Sequence, residues 1–342
     1  MKLSTVSNYK DKGYINESSI FNELYSTLGI TSRDTFEYRE FNAPYLINSS
    51  YTHLVVAFDY KTTSLQLYTE FLKEITIPKV FIIDTIPEKH RELNKEFVDK
   101  FLPNSTEGYT GLTKQLQNII YEDYGDAFVF FSEKDKSLFN KYYKVSNSKP
   151  RVVIPPPLGP EESIKANTVN TNGPLVYNGV PSYANGLVNI GGFLHRNNNL
   201  HMDMYGTHGR IDLNNEILVN DLLSNLDNFK FKARVRNDAD IFKKYSVYMH
   251  LPTYDSFDYF CFKSIINGTI PMVSKNSTFY EYLDEYPFVC TSDPANIDYT
   301  FDILTKTSIE TLNQVIKTQV DKLKELSNEN TLKKYINLIE NL

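Results

Sequence analysis

The chain has 342 residues, 41% of them hydrophobic and 23% charged, a balance typical of a folded water-soluble protein with room for two domains. Its net charge of −6 counts against a broad nucleic-acid-binding face, which needs a basic surface to displace counterions, but leaves room for a local basic cleft. No apolar run reaches the roughly 18 residues of a membrane span, and the opening MKLSTVSNYKDKG lacks the apolar core of a secretory leader, so a cytoplasmic protein with no membrane partner is expected.

Strands are expected at residues 3–7, 53–58, 79–83 and 127–131, each followed by a turn and a helical pattern. Residues 64–75 put Leu65, Leu67, Tyr68, Phe71 and Leu72 close to one helical face, and 111–124 and 132–143 behave the same way, with Ser132 as an N-cap. Such alternation predicts a parallel sheet covered on both faces. The strand at 79–83 runs into Asp84, its first polar residue, within KVFIIDTIPEKHREL. A carboxylate there can take a proton from an acceptor hydroxyl as general base, or cap the turn that follows. Glu88 and His90 are nearby alternatives, with His90 read as a solvated group in a charged segment.

At 152–160 the sequence VVIPPPLGP stiffens the chain and ends regular structure. It marks a boundary between domains 1–157 and 158–342. The alternation then restarts, with strands expected at 175–177, 200–205, 229–233, 246–251, 270–273 and 288–290. Helical patterns lie at 186–194, 215–223, 238–245, 257–267, 278–283 and 297–304. The tail, 308–342, reads as two helices broken near Ser327-Asn328. Cys261 and Cys290 sit in apolar patterns as buried free thiols, and no metal-ligand spacing, serine elbow or Walker loop is present.

Three loops of the second half could meet a ligand. Asn178-Gly179 ends one strand, where glycine would let backbone approach a phosphate, although Asn-Gly is also an ordinary turn. Gly206 ends the next, followed by His208 and Arg210, with His208 read as part of a surface turn. In SVYMHLPTYDSFDYFCFKSIINGTIPMVS, Asp255 or Ser256 is expected to cap a helix and leave the N–H groups of Phe257 and Asp258 at its positive end. Lys263, in mid-helix, either snorkels to solvent or points at a diphosphate. Two basic runs, KFKARVR at 230–236 and EKHRELNK at 88–95, are candidate patches.

In motif order the chain resembles GT-B glycosyltransferases, in particular the T-even phage DNA glucosyltransferases. VFIIDTIP is similar to the strand and loop that carry the aspartate base of the β-enzyme, at Asp84. LVYNGVPSYANGLVNIGGFLHRNNNLHMDMYG resembles the opening of its donor domain. DAFVFFSEKDKSLFNKYY and NGTIPMVSKNST resemble the α-enzyme. The resemblance implies an α/β fold of two Rossmann-like doubly wound domains facing a cleft, with the last helix crossing back onto the first domain. It implies a nucleotide-sugar donor, most simply a UDP-sugar, and a hydroxymethylated pyrimidine of phage DNA as acceptor. Gly179 and Val180 would offer backbone groups to the diphosphate, and Val235 would meet the base. Asp255, Ser256 and Phe257 would lie near the sugar or phosphates, with Asp258 and Gly206 in the adjoining turns. Where the family carries an acidic residue late in the donor helix, this chain carries Lys263 and Ser264, so Lys263, Arg234 or a divalent cation would neutralise the phosphates. A monomeric enzyme is expected. A glycan or protein acceptor, and nucleotide or nucleic-acid binding without turnover, are the alternatives.

Overall fold

A computed structural model describes residues 1–7, 19–37, 42–57, 65–83, 86–89, 92–93, 95–96, 111–178, 183–205, 223, 226–232, 239–255 and 257–342. The chain divides into two compact units: Met1–Glu88 with Glu107–Glu161 and Leu326–Leu342, and Lys89–Thr106 with Glu162–Glu325.

In the first unit, β1 (Leu3–Ser7), β2 (Thr35–Glu37), β3 (His53–Ala57), β4 (Lys79–Ile83), β5 (Ala127–Phe130) and β6 (Arg151–Val153) form one sheet in the order β2-β1-β3-β4-β5-β6. All its pairs are parallel. Helices α1 (Ser19–Thr27), α2 (Ala43–Ser50), α3 (Leu65–Lys73), α4 (Gly111–Ile119) and α5 (Glu133–Tyr142) lie between the strands in sequence. Strands β4 and β5 are buried along their whole length, as parallel strands covered on both faces must be. The Phe139 ring of α5 packs 5.2 Å from Phe128 and 5.1 Å from Tyr121, which ties helix to sheet. Ser132 caps α5 as expected, its hydroxyl accepting from the Asp135 N–H at 3.0 Å.

The second unit repeats the plan. β7 (Leu175–Asn178), β8 (Met202–Tyr205), β9 (Phe229–Lys232), β10 (Val247–His250), β11 (Ile270–Ser274) and β12 (Val289–Cys290) form a parallel sheet in the order β12-β11-β10-β7-β8-β9. Helices α6 (Leu187–Arg196), α7 (Tyr259–Ile266), α8 (Pro294–Lys306) and α9 (Ile309–Leu323) belong to it. The last helix, α10 (Asn328–Glu340), belongs to the first unit, where it packs on α1. Asn328 is the fastener: its N–H donates to the Gly159 carbonyl, its Oδ1 accepts from the Gly159 N–H, and its Nδ2 donates to Glu23 at 2.8 Å.

Four elements go beyond the sequence expectation. Strand β2 is three residues long, and β6 is a three-residue edge strand that ends one residue before the prolines. Helices α1 and α2 were not expected, and α2 leaves Tyr45 and Leu46 exposed, which blurs its apolar face. The patterns at 238–245 and 278–283 are 3-10 turns (Ala239–Lys244, Thr278–Tyr282), not α-helices. The pattern at 215–223 lies, apart from residue 223, outside the described residues. Both cysteines are buried free thiols. Among the described residues, no helix is long and apolar enough to cross a membrane.

Candidate functional site

Doubly wound sheets bind ligands beyond the carboxyl ends of their strands, where the winding reverses. In the second sheet β7, β8 and β9 run outward one way and β10, β11 and β12 the other, so the reversal falls between β7 and β10. The loops that leave those two strands are joined by backbone. The N–H groups of Thr253 and Tyr254 donate to the Ala184 carbonyl at 2.8 and 3.1 Å, and the Thr253 hydroxyl donates to the Tyr183 carbonyl at 3.3 Å. Gly186, the N-cap of α6, has φ +83°, and a Cβ there would fall 1.9 Å from the Leu251 carbonyl oxygen. The Tyr183 hydroxyl in turn donates to Glu96 Oε1 at 3.2 Å, bringing Glu96 to the same loop.

Strand β10 ends in a buried charged cluster. Tyr248 and His250 project from the same face, as residues two apart in a strand do, with ring centroids 6.0 Å apart and ring planes nearly parallel. His250 Nε2 donates to Asp255 Oδ2 at 2.6 Å, and Nδ1 donates to Asp258 Oδ2 at 2.8 Å. The Tyr248 hydroxyl donates to Asp258 at 2.7 Å, and Ser277 Oγ lies 2.8 Å from His250 Nε2. Asp255 accepts from the Thr278 N–H at 3.0 Å and from the Ser277 hydroxyl at 3.3 Å, joining the loop after β10 to the loop after β11. Asp258 accepts from the Phe260 N–H at 2.7 Å and caps α7.

The titration behaviour follows from this geometry. Burial alone disfavours the imidazolium, but Asp258 and then Asp255 outweigh it by charge and hydrogen bonding, and His250 is raised to about 10. Burial pulls Asp258 upward, yet the His250 charge and the donors Tyr248 and Phe260 leave it below the usual carboxylate range. Burial, and then the nearby carboxylates, push the Cys261 thiol and the Tyr248 phenol well above their ordinary values. The cluster therefore holds one cation between two anions, with neutral groups around it.

His250, Asp258 and Cys261 bring one nitrogen, one oxygen and one sulfur within 4.8 Å of one another. Their chemistry does not fit a cation. Both ring nitrogens already donate to carboxylates and have no lone pair to offer, and the thiol is held protonated.

Of the residues expected from sequence, Asp84, Gly179, Val180, Gly206, Arg234, Val235 and Ser256 lie outside the described residues, as do His90, His208 and Arg210. The structure brings Asp255, Phe257, Asp258 and Lys263 into one stretch around the start of α7. Asp255 is buried and bonded through both oxygens. The cap of α7 is Asp258, not Asp255 or Ser256, and the helix opens at Tyr259; the Asp258 carboxylate reaches the Phe260 N–H directly, which sets the start. Phe257 packs its ring against Phe279 and Tyr282 and so belongs to the core. The Lys263 ammonium sits 4.7 Å from the Tyr259 ring centroid, one helical turn back, in a cation–π contact. Sequence reasoning missed His250, Tyr248 and Ser277. The available signal was a histidine closing the apolar run VYMH, with two aspartates five and eight residues later.

In the first unit Glu88 is buried, and its carboxylate accepts from the Tyr143 hydroxyl, beside Gln117. Its role there is to tie the turn after β4 to the end of α5. In the second, Lys232 of the basic run lies 3.5 Å from Asp203, so part of that charge is spent locally.

No known protein-family pattern matches the chain, and no curated protein matches it in sequence. Solved structures do match in fold. HepE of Anabaena in complex with UDP-glucose superposes with a TM-score of 0.71 at 10% identity, covering 100% of both chains. Sucrose-phosphate synthase of Thermosynechococcus elongatus gives 0.67 at 13% identity over 94% of this chain and 79% of its own. A glycosyltransferase of Rickettsia africae gives 0.62 at 13% identity over 99% and 97%. The two parallel six-stranded sheets are thus those of the GT-B fold.

Proposed function

We propose that the chain is a glycosyltransferase that moves a sugar from a UDP-sugar to an acceptor hydroxyl. The observation that carries this is the fold match over the full length of HepE, a protein seen with UDP, with UDP and glucose, and with UDP-glucose. The joined loops at the reversal point of the second sheet support it, since that is where such a sheet accepts a nucleotide. In this reading Gly179, Val180 and Gly206 give backbone room, Arg234 and Lys263 face the phosphates, and Val235 meets the base. Asp255, Ser256, Phe257 and Asp258 shape the loop beside the sugar.

Asp84 takes the proton of the acceptor hydroxyl as its oxygen attacks the anomeric carbon. The bond from that carbon to the diphosphate oxygen breaks, and UDP leaves with the electron pair. A single in-line displacement of this kind inverts the anomeric centre. The order of motifs along the chain favours a hydroxymethylated pyrimidine of phage DNA as acceptor. A thermal-shift screen of UDP- and GDP-sugars followed by transfer and hydrolysis assays tests the reading. Stabilisation by UDP-glucose with release of UDP in the presence of hydroxymethylated DNA is expected, and no response to any nucleotide sugar would overturn it.

One observation favours a second reading, nucleotide binding without turnover. Both aspartates at the start of α7 are bonded inside the protein and offer little to a sugar. Stabilisation by UDP-sugars without sugar release from any acceptor would select it.

A further inference from the structure

His250 sits at the reversal point of the second sheet but has no place in the chemistry proposed above. It is buried, with 5% of its surface exposed, and each ring nitrogen has its own carboxylate, at 2.6 and 2.8 Å. Those two carboxylates bracket the segment that leads from β10 into α7. One of them also holds the Thr278 N–H after β11, and the other holds the first turn of α7 through Phe260. A single ring thereby fastens two loops and a helix start.

We propose that His250, as an imidazolium, is the positioning residue of the donor loop: it holds Asp255 and Asp258 together and offsets one of their two negative charges, so that a nucleoside diphosphate can bind beside α7. This rests on the UDP-sugar reading of the site. Two physical arguments support it. A neutral imidazole donates from only one nitrogen, so loss of the proton leaves one carboxylate facing a lone pair and releases either Asp255 or Asp258 from the ring. The cluster also passes from a net charge of −1 to −2 when that proton leaves, beside a site meant for an anion.

The groups that bear on the ring are Asp255 and Asp258 from the loop, Tyr248 from β10, and Ser277 from the start of the 3-10 turn. Tyr177 of β7 and Cys261 of α7 lie against the same carboxylates, and burial holds both neutral.

The test makes this titration visible. With both carboxylates in place the ring keeps its proton through neutral pH, so the affinity of the wild-type protein for UDP-glucose should stay flat between about pH 6 and about pH 9. Asp258→Asn keeps one acceptor oxygen for the cap at the Phe260 N–H but turns an amide NH2 towards Tyr248 and His250 Nδ1 and removes one charge, which moves the loss of the ring proton into that range. Its affinity for UDP-glucose, by calorimetry, should then fall roughly tenfold with rising pH, at the midpoint at which the His250 ring titrates by NMR. His250→Gln should bind UDP-glucose roughly tenfold more weakly than wild type at pH 7, with no pH dependence. Affinity of Asp258→Asn that stays flat while its His250 titrates would overturn the proposal, as would a neutral His250 in the wild-type protein at pH 7. A wild-type protein that binds no UDP-glucose while its His250 is protonated would remove the donor reading, and the positioning role with it. If His250→Gln does not fold, Asp258→Asn still decides.

Discussion

The Leu251 carbonyl oxygen lies where a side chain on Gly186 would begin. An added Cβ would approach it to 1.9 Å, and Gly186 also holds φ at +83°. The contact closes the loop after β7 onto the loop after β10, and only a residue without a side chain permits it.

Gly186→Ala should therefore be destabilising by about 2–4 kcal/mol, since steric overlap adds to the left-handed backbone penalty. Gly29→Ala is the matched control, with φ +69° but nothing within 4 Å of an added Cβ, and should cost about 1 kcal/mol. Urea denaturation of the two variants checks the difference. Equal losses would show that the approach to Leu251 imposes no constraint.

The His250 cluster predicts a pH dependence of stability with a definite sign. A histidine raised from 6.5 to about 10 stabilises the fold in full below about pH 6.5, and that stability is lost as pH rises towards 10. Asp258, held below its ordinary 3.8, adds stability that is present above that value and lost as pH falls through its lower folded pKa. The cluster should be most stabilising between these limits. Wild type should lose stability between pH 6.5 and pH 10 at up to about 1.4 kcal/mol per pH unit, and His250→Gln should lack this slope. At pH 6 the variant should be less stable by about 3–5 kcal/mol, because it leaves two buried carboxylates without their cation. Parallel urea curves for both proteins across pH would refute the assignment.

Tyr335 makes the opposite case. Its ring is fully buried in α10, and its hydroxyl has no partner among the described residues. Tyr335→Phe removes a polar atom that is stripped of water without compensation. It should leave the melting temperature unchanged or raise stability by about 1 kcal/mol. A loss of more than about 1 kcal/mol would mean that the hydroxyl is bonded.

Asp84 and Lys263 divide the proposed chemistry. Asp84→Asn should lower kcat by about 10²–10⁴-fold while leaving the melting temperature and UDP-glucose affinity near wild type. Lys263→Glu should leave the fold intact but weaken UDP-glucose roughly tenfold through charge reversal. Lys263→Ala should remove the cation–π contact with the Tyr259 ring, at a cost of about 0.5–1 kcal/mol of stability. Unchanged donor affinity in Lys263→Glu would make Lys263 a cap on the Tyr259 ring and nothing more.

The sheets were legible in the sequence because parallel strands buried on both faces read as short apolar runs, such as KVFII and VYMH. Strand β6 was hidden because three residues carry no period, and the prolines beside it drew attention to a break. Asp255 and Asp258 were legible as polar residues at a helix start. Their common partner was not, because His250 reads as the end of a strand and its two bonds exist only once the loop has folded back. The shift of the cap to Asp258 has the same origin: spacing offers several capping residues, and the one that also meets Tyr248 and His250 is chosen by tertiary contacts.

The fastening of Asn328 to Gly159 and Glu23 has a consequence for the order of events at the ribosome. Everything the second unit requires has been synthesised by Glu325, whereas the first unit still lacks α10. The half of the chain translated later can therefore complete its core earlier. The half translated first must wait with α1 uncovered until the segment beyond Leu326 emerges. Nascent chains stalled before and after that point should differ in the protease resistance of the first unit and agree in that of the second.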